Sequence, residues 1–239
     1  MAATADALLE QLSRNPAEAA LFLDFDGVLA PIVPRPDDAA APPETQRELE
    51  RLAAHYRLVA VVSGRDGDDV ERRVGVDGIV YVGSHGLELN PDAERWARRI
   101  HEFAATASWP AEQKRLTVSF HYRDAADESA AVRELELLAD AAREEGFVAR
   151  FGRKVMEVLP PLAADKGSAV RELIERAGVK RALVAGDDTT DLDAFRAVDE
   201  LEYAVRVAVV SPESPSALRE SAEIAVSSTE EFLELLRRL

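Results

Sequence analysis

Buried strands and amphipathic helices alternate in the first part of the chain. The uncharged run Ala19–Leu23 has the length and continuity of a strand that is buried on both faces. Apolar residues over 49–56 recur at the spacing of a helix, and two more apolar runs lie at Leu58–Val62 and Ile79–Val82. This order of elements predicts right-handed crossovers and a doubly wound parallel sheet.

The segment 90–159 departs from that alternation. Its pattern predicts a helix, a strand, a longer helix and two final strands, an order typical of an α+β domain with an antiparallel sheet. Regular alternation resumes with a helix that begins at Lys166. We therefore expect an α/β fold in which residues 1–89 and 160–239 form a doubly wound core and 90–159 form an inserted domain. Later core strands are predicted at Ala182–Ala185 and Tyr203–Val210, and a small strand is predicted in the tail at Ile224–Val226.

The composition is that of a globular protein and restricts its partners. Of 239 residues, 47% are hydrophobic, which is enough for a sizeable core. A formal net charge of -16 opposes binding to the charged surfaces of nucleic acids or anionic membranes. The chain has no cysteine, which excludes disulfides, thiolate metal sites and a cysteine nucleophile. Its start is unlike a signal peptide and no apolar run approaches a membrane span, so a cytoplasmic protein is expected.

Polar clusters stand directly after the predicted core strands. Asp24 and Asp26 follow the first strand at positions i and i+2, so in extended chain both side chains point to the same side. Ser63 follows the second strand, and open α/β sheets bind their ligands at this carboxyl end of the strands. Lys166 begins the helix after the insertion. Three carboxylates follow the fourth core strand: Asp187, Asp188 and Asp191.

The order of these signatures resembles the haloacid dehalogenase (HAD) superfamily of aspartate-based phosphotransferases. The matching signatures are Asp-x-Asp-Gly at 24–27, Ser-Gly-Arg at 63–65, Lys-Gly at 166–167 and Gly-Asp-Asp-x-Thr-Asp at 186–191. Each one alone is compatible with an ordinary turn or helix cap, whereas the four together indicate catalysis. The resemblance implies a HAD-like core, and an insertion between the second and third signatures corresponds to a cap domain at the C2 position.

The residue types in these signatures suit phosphoryl transfer. By the resemblance, the Asp24 carboxylate would attack phosphorus and form an acyl phosphate, while Asp26 would act first as general acid and then as general base. Ser63 would donate a hydrogen bond to a phosphoryl oxygen, and Lys166 would offset negative charge.

The same residues imply a divalent cation as cofactor. Carboxylates beside a phosphate dianion repel it, so a cation must lie among them. Mg²⁺ prefers hard oxygen ligands, and the resemblance assigns these to Asp24, Asp187 and the backbone carbonyl of Asp26. Asp188 and Asp191 would lie behind these ligands and hold them in place without binding the ion themselves.

Further phrases resemble the trehalose-6-phosphate phosphatases within this superfamily. They are Gly83–Glu88, His121–Arg123 and Gly152–Pro160, and the second and third lie in the insertion, where the cap normally selects the substrate. Lys154 and Glu157 are three positions apart, so both would face one ligand only if their strand bends. The residues that the resemblance assigns to substrate binding are Gly27, Gly64, Arg65, His85, Glu88, Arg123, Lys154 and Glu157.

The function that this resemblance implies is Mg²⁺-dependent hydrolysis of trehalose 6-phosphate to trehalose and inorganic phosphate, the last step of trehalose biosynthesis. The same cap type leaves open a phosphatase for sucrose phosphate or for mannosyl- or glucosyl-3-phosphoglycerate. A non-catalytic sugar-phosphate sensor is a further alternative, although every signature carboxylate and the lysine are present. We expect a monomer whose partner is a small-molecule sugar phosphate, with a metabolic link to a trehalose-6-phosphate synthase and no nucleic-acid or membrane partner.

Overall fold

Two compact units make up the chain. The first comprises Met1–Gly86 and Ala164–Leu239, and the second comprises Leu87–Ala163. No helix in the described part of the chain is long and apolar enough to cross a membrane. The structure, a computed structural model, describes residues 4–123, 125–152, 154–212 and 214–239.

Helices and strands of the described residues alternate in the first unit and do not in the second. The helices are α1 (Ala5–Ser13), α2 (Pro43–His55), α3 (Gly67–Val74), α4 (Ala93–Ala105), α5 (Glu128–Glu144), α6 (Lys166–Ala177), α7 (Asp191–Ala197), α8 (Ser216–Glu220) and α9 (Thr229–Leu236). The strands are β1 (Ala19–Leu23), β2 (Leu58–Val62), β3 (Val80–Val82), β4 (Glu112–Gln113), β5 (Val118–His121), β6 (Val148–Gly152), β7 (Val155–Leu159), β8 (Arg181–Gly186), β9 (Tyr203–Val209) and β10 (Ile224–Val226).

A six-stranded sheet forms the centre of the first unit, in the spatial order β10-β9-β8-β1-β2-β3. All neighbouring strands in it run parallel. Every residue of β1 is at most 1% exposed, because this strand is central and both of its faces are covered. Leu21 and Leu23 pack with residues of α1, α2 and α9 on one face, and the alternate residues Ala20 and Phe22 point to the other.

Four antiparallel strands form the sheet of the second unit, in the order β4-β5-β7-β6. Phe120 and Met156 pair across β5 and β7, are fully buried, and pack with residues of α4 and α5. Ser119 and Glu157 also pair across these strands, and alternation places them on the opposite face. The predicted α/β core with an α+β insertion is therefore confirmed.

The structure differs from the sequence pattern at three elements. Helix α7 was not predicted, because seven residues are too few to show a helical period. Strand β4 was not predicted either, since its two residues are polar and exposed. Lys154 was assigned to the same strand as Glu157, but its φ of 65° is left-handed, and β7 begins one residue later.

Candidate active site

The register of the central strands brings three signatures to one edge of the sheet. The last residue of β1 pairs with Val61 of β2 and with Ala185 of β8, so the three strands end nearly level. The residues that follow them include Asp24, Ser63 and Asp187. The strand order also changes direction between β1 and β8, which is where open α/β sheets bind ligands.

Lys166 lies buried between two carboxylates at this edge. Its Nζ is 2.8 Å from Oδ2 of Asp24 and 2.7 Å from Oδ1 of Asp191. Helix α6 begins at Lys166, and a capping box between Asp165 and Ser168 fixes the start of this helix. The Lys166 side chain is 3% exposed, and two carboxyl groups within hydrogen-bond distance compensate the loss of its hydration.

Asp191 holds the loop of the last signature in place. Its Oδ2 accepts hydrogen bonds from the backbone N–H groups of Asp187 and Asp188, both at 3.0 Å. The hydroxyl of Ser214 donates to the backbone carbonyl of Asp187 at 3.1 Å. The side chain of Asp188 accepts a hydrogen bond from the N–H of the next residue and is exposed. These contacts orient Asp187 through its backbone.

The electrostatics of the site reflect an excess of negative charge. Burial raises the pKa of Asp24 to about 8; Lys166 opposes this shift, and the charge of Asp191 adds to it. Burial and the charge of Asp191 raise the pKa of Asp187 to about 7. Burial by itself lowers the pKa of Lys166, but Asp24 and Asp191 together raise it above its ordinary value. One buried ammonium therefore does not neutralise the surrounding carboxylates.

A group of three carboxylates could hold a metal ion. One oxygen each from Asp24, Asp187 and Asp191 lies within 4.8 Å of the others. Asp191 accepts three hydrogen bonds, whereas each oxygen of Asp24 accepts one and the Asp187 side chain accepts none from the described residues. Because Asp24 and Asp187 keep more lone pairs free, they are the better ligands of the three.

Asp26 lies in a bidentate ion pair with Arg65. The Arg65 Nε donates to Oδ2 of Asp26 at 2.7 Å, and its Nη2 donates to Oδ1 at 2.9 Å. The Arg65 guanidinium also lies 5.4 Å from the ring centroid of Phe25. Arg65 was predicted to bind substrate, and its guanidinium contacts the side chain predicted to be the acid and base.

Two glycines allow close approaches at the site. Gly27 has a φ of 76°, and a Cβ there would lie 2.2 Å from Oδ2 of Asp187. A Cβ on Gly64 would lie 2.6 Å from the ring of His85. The second signature therefore packs directly against His85.

Ser63 accepts a hydrogen bond from the Arg65 N–H at 3.2 Å, which leaves its own hydroxyl proton available.

Glu157 and Lys154 have different surroundings within the second unit. Glu157 accepts hydrogen bonds from Lys114 and from the buried Ser119, both at 3.3 Å. Lys154 pairs with Glu128, near the start of α5. The left-handed turn at Lys154 is the departure from regular strand geometry that a shared ligand would require.

The other predicted residues of the second unit also differ in environment. Glu88 is 9% exposed and lies 3.7 Å from a nitrogen of Arg115. Arg123 is exposed and forms no ion pair with any residue that the structure describes. Trp96 and Trp109 pack against the core of this unit, and the Trp109 indole donates to a backbone carbonyl of β5 at 2.9 Å.

Two features near the site were missed by sequence reasoning. Asp69 and Arg73 continue the ion pair of Arg65, and the spacing of 65, 69 and 73 by four residues is a signal that could have found them. Ser214 contacts the Asp187 backbone from a distant part of the chain, and no sequence pattern indicates that contact.

Comparisons with known proteins show what the chain is similar to. The family model described as Trehalose-phosphatase matches residues 22–109 and 102–230. The trehalose-phosphate phosphatase of Mycobacterium avium is 39% identical over 212 residues, which cover 77% of this chain and 52% of that protein. The crystal structure of a trehalose-6-phosphate phosphatase related protein is similar with a TM-score of 0.69 and 25% identity, over 91% of this chain and 95% of that chain.

The fold is shared more widely. A haloacid dehalogenase-like hydrolase from Bacteroides thetaiotaomicron has a TM-score of 0.60 at 14% identity, over 92% of this chain and 98% of that chain. The HAD-like fold that the signatures implied is thereby confirmed.

The chain spans about half the length of the curated trehalose-phosphate phosphatases that it matches. The chain belongs to the trehalose-phosphatase family, whose model covers all four of its signatures.

Proposed function

We propose that this chain is a Mg²⁺-dependent phosphatase that hydrolyses trehalose 6-phosphate through an aspartyl phosphate on Asp24. The observation that carries the proposal is the buried Asp24 carboxylate at the end of β1, 2.8 Å from Lys166 and grouped with Asp187. Membership of the trehalose-phosphatase family supports the choice of substrate.

The carboxylates at the site fit a divalent cation. Asp24, Asp187 and the backbone carbonyl of Asp26 would hold Mg²⁺, with Asp188 and Asp191 supporting them. The raised pKa values of Asp24 and Asp187 support this assignment, because burial, with the charge of Asp191 adding to it, disfavours two ionised carboxylates there unless a cation binds them. When bound, the ion would neutralise charge on the phosphoryl oxygens and favour their approach to the carboxylates.

The protein residues then have separate tasks in two steps. In the first, an oxygen of Asp24 bonds to phosphorus, the bond from phosphorus to the sugar oxygen breaks, and Asp26 gives a proton to that oxygen. In the second, Asp26 removes a proton from a water that attacks the acyl phosphate, which releases inorganic phosphate and restores Asp24. The Ser63 hydroxyl and the Lys166 ammonium would stabilise the phosphoryl oxygens in both steps.

The second unit is proposed to select the sugar. The cap predicted at 90–159 lies inside the unit Leu87–Ala163. Glu88, Arg123, Lys154 and Glu157 offer charged donors and acceptors, which suit a disaccharide with many hydroxyl groups. A monomeric state, a cytoplasmic location and a link to a trehalose-6-phosphate synthase stay predictions from the sequence.

A phosphate-release assay tests the proposal. It compares trehalose 6-phosphate with sucrose phosphate and the two hexosyl-phosphoglycerates, with Mg²⁺ and with EDTA. We expect turnover with trehalose 6-phosphate and Mg²⁺ alone. Equal turnover of all four compounds, or none of trehalose 6-phosphate, would contradict the substrate, and binding without turnover would favour the sensor.

Replacement of the proposed nucleophile separates catalysis from binding. Asp24→Asn should abolish turnover and retain binding of trehalose 6-phosphate in calorimetry. Asp140→Asn is the control, because Asp140 is a well-exposed carboxylate of α5. Residual turnover in Asp24→Asn at the level of this control would rule out Asp24 as the nucleophile.

A further inference from the structure

The carboxylate of Asp69 joins two arginines near the active site. Its Oδ2 accepts from Nε of Arg73 at 2.6 Å and from Nη1 of Arg65 at 3.4 Å. These three residues are four positions apart, so they lie on one face of α3 and the turn before it. The Asp69 side chain is 22% exposed, and its Oδ1 pairs with the exposed Arg72 at 3.0 Å.

One end of this network reaches the proposed acid and base. Two nitrogens of Arg65 hold Asp26, and the third donates to Asp69, so each nitrogen of the guanidinium contacts a carboxylate. Arg65 is 17% exposed. A guanidinium that pairs with carboxylates on both sides has little freedom to rotate. The Asp26 carboxylate, which pairs with this guanidinium, is restricted in the same way.

The other end is anchored in the segment that follows the first signature. Nη1 of Arg73 donates to the backbone carbonyls of Asp37 and Ala39, at 2.8 and 2.9 Å. The Arg73 side chain is 14% exposed. Asp69 is therefore fixed by an arginine that is itself bound to backbone, rather than by a free surface side chain.

We propose that Asp69 is a positioning residue, which orients Asp26 by holding Arg65 in the plane of their bidentate ion pair. The inference rests on the proposed function, because it assumes that Asp26 transfers the proton to the leaving sugar oxygen. In this proposal, Arg65 binds the side chain of Asp26 rather than the sugar. A misdirected acid loses the alignment that proton transfer requires.

The dependence of the rate on the leaving group tests this role. An alkyl phosphate such as trehalose 6-phosphate needs a proton on its leaving oxygen, whereas p-nitrophenyl phosphate releases a stable phenolate. For Asp69→Asn we expect kcat/KM to fall roughly tenfold or more with the alkyl phosphate and to stay within about threefold with the aryl phosphate. The control is Arg72→Gln, which removes an exposed ion pair to the same carboxylate and should leave both values unchanged.

Two further measurements separate positioning from a structural role. In an Asp26→Asn background, Asp69→Asn should cause no additional loss, because the residue acts through Asp26. In the NMR spectrum, the Nε–H resonance of Arg65 should be protected from solvent exchange in the wild type and lose protection in Asp69→Asn. If Asp69→Asn does not fold, Arg73→Gln removes the other anchor and should give the same dependence on the leaving group.

Several results would overturn the inference. They are an equal loss with both phosphates, the same loss in the Asp26→Asn background, a matching loss in Arg72→Gln, or an Arg65 signal that is unchanged in Asp69→Asn. If the wild type hydrolyses a different alkyl phosphate and not trehalose 6-phosphate, the proposed substrate fails, and the comparison is made with the compound that is hydrolysed. If it hydrolyses only aryl phosphates, the role of Asp69 is overturned as well.

Discussion

Replacement of Lys166 with methionine removes a buried positive charge and preserves most of the side-chain volume. The ammonium lies 2.8 Å from Asp24 and 2.7 Å from Asp191, and all three side chains are at most 8% exposed. Removing one partner from a buried ion pair destabilises a fold by about 3–5 kcal/mol, because the remaining charge is poorly solvated. The free energy of unfolding of Lys166→Met should therefore be about 3–5 kcal/mol below that of the wild type at pH 7 without divalent cations.

The size of this loss should depend on pH. A buried carboxylate without a counter-charge takes up a proton from the solvent. At a pH above the ordinary pKa of the group, this uptake costs about 1.4 kcal/mol more for each further pH unit. Folded Lys166→Met should hold one more proton than the folded wild type. Its deficit should then shrink by about 1.4 kcal/mol for each unit of acidification from pH 7 toward pH 5.

Urea denaturation followed by circular dichroism, in EDTA, measures this deficit. The matched control is Lys180→Met, because Lys180 pairs with Glu18 at 3.4 Å while about half of each side chain is exposed. Exposed ion pairs contribute less than about 1 kcal/mol. Similar small losses in both variants, or a Lys166→Met deficit that does not change with pH, would refute the reasoning.

Three other predictions concern the metal and the sugar. Burial raises the pKa values of Asp24 and Asp187 to about 8 and about 7, so the metal-free fold keeps protons on them after the unfolded chain has released its own. The free energy of unfolding should therefore decrease from pH 4 to pH 8 in urea titrations, saturating Mg²⁺ should flatten this slope, and a rise would contradict the reasoning. Gly27→Ala should weaken Mg²⁺ binding in calorimetry, because the new Cβ displaces Asp187. The control Gly78→Ala has a similar φ of 78° and nothing within 4 Å of its new Cβ, so it should leave the Mg²⁺ affinity unchanged. Equal effects of the two substitutions would count against the clash. Glu157→Gln should raise KM for trehalose 6-phosphate by roughly tenfold without changing kcat/KM for p-nitrophenyl phosphate, and an unchanged KM would remove Glu157 from the sugar site.

Much of the core was predictable because its signals are local. The run that forms β1 is apolar over five consecutive residues, and its burial on both faces follows from that continuity. Asp24 and Asp26 are adjacent to the run in the chain, so their place at its carboxyl end needed no tertiary information. Helix α7 escaped prediction because its short length leaves no period to detect.

Contacts between distant side chains were not predictable. The sequence placed Lys166 at a helix start, and the burial of its ammonium between Asp24 and Asp191 depends on how α6 meets the sheet. Likewise, no sequence pattern indicates the ion pair of Arg65 with Asp26, which lies 39 positions earlier in the chain.

The amino-acid sequence was sufficient for the fold class, the family and the chemical types at the strand ends, since these depend on neighbouring residues and on their order. Strand register and side-chain direction determine which charges meet. The parallel register of β1 with β2 and β8 brings the three strand ends level, and Arg65, which follows β2, there forms its ion pair with Asp26, which follows β1. Such pairings join residues far apart in the chain, and only the packed backbone supplies the distances at which Coulomb and hydrogen-bond energies select one partner over another.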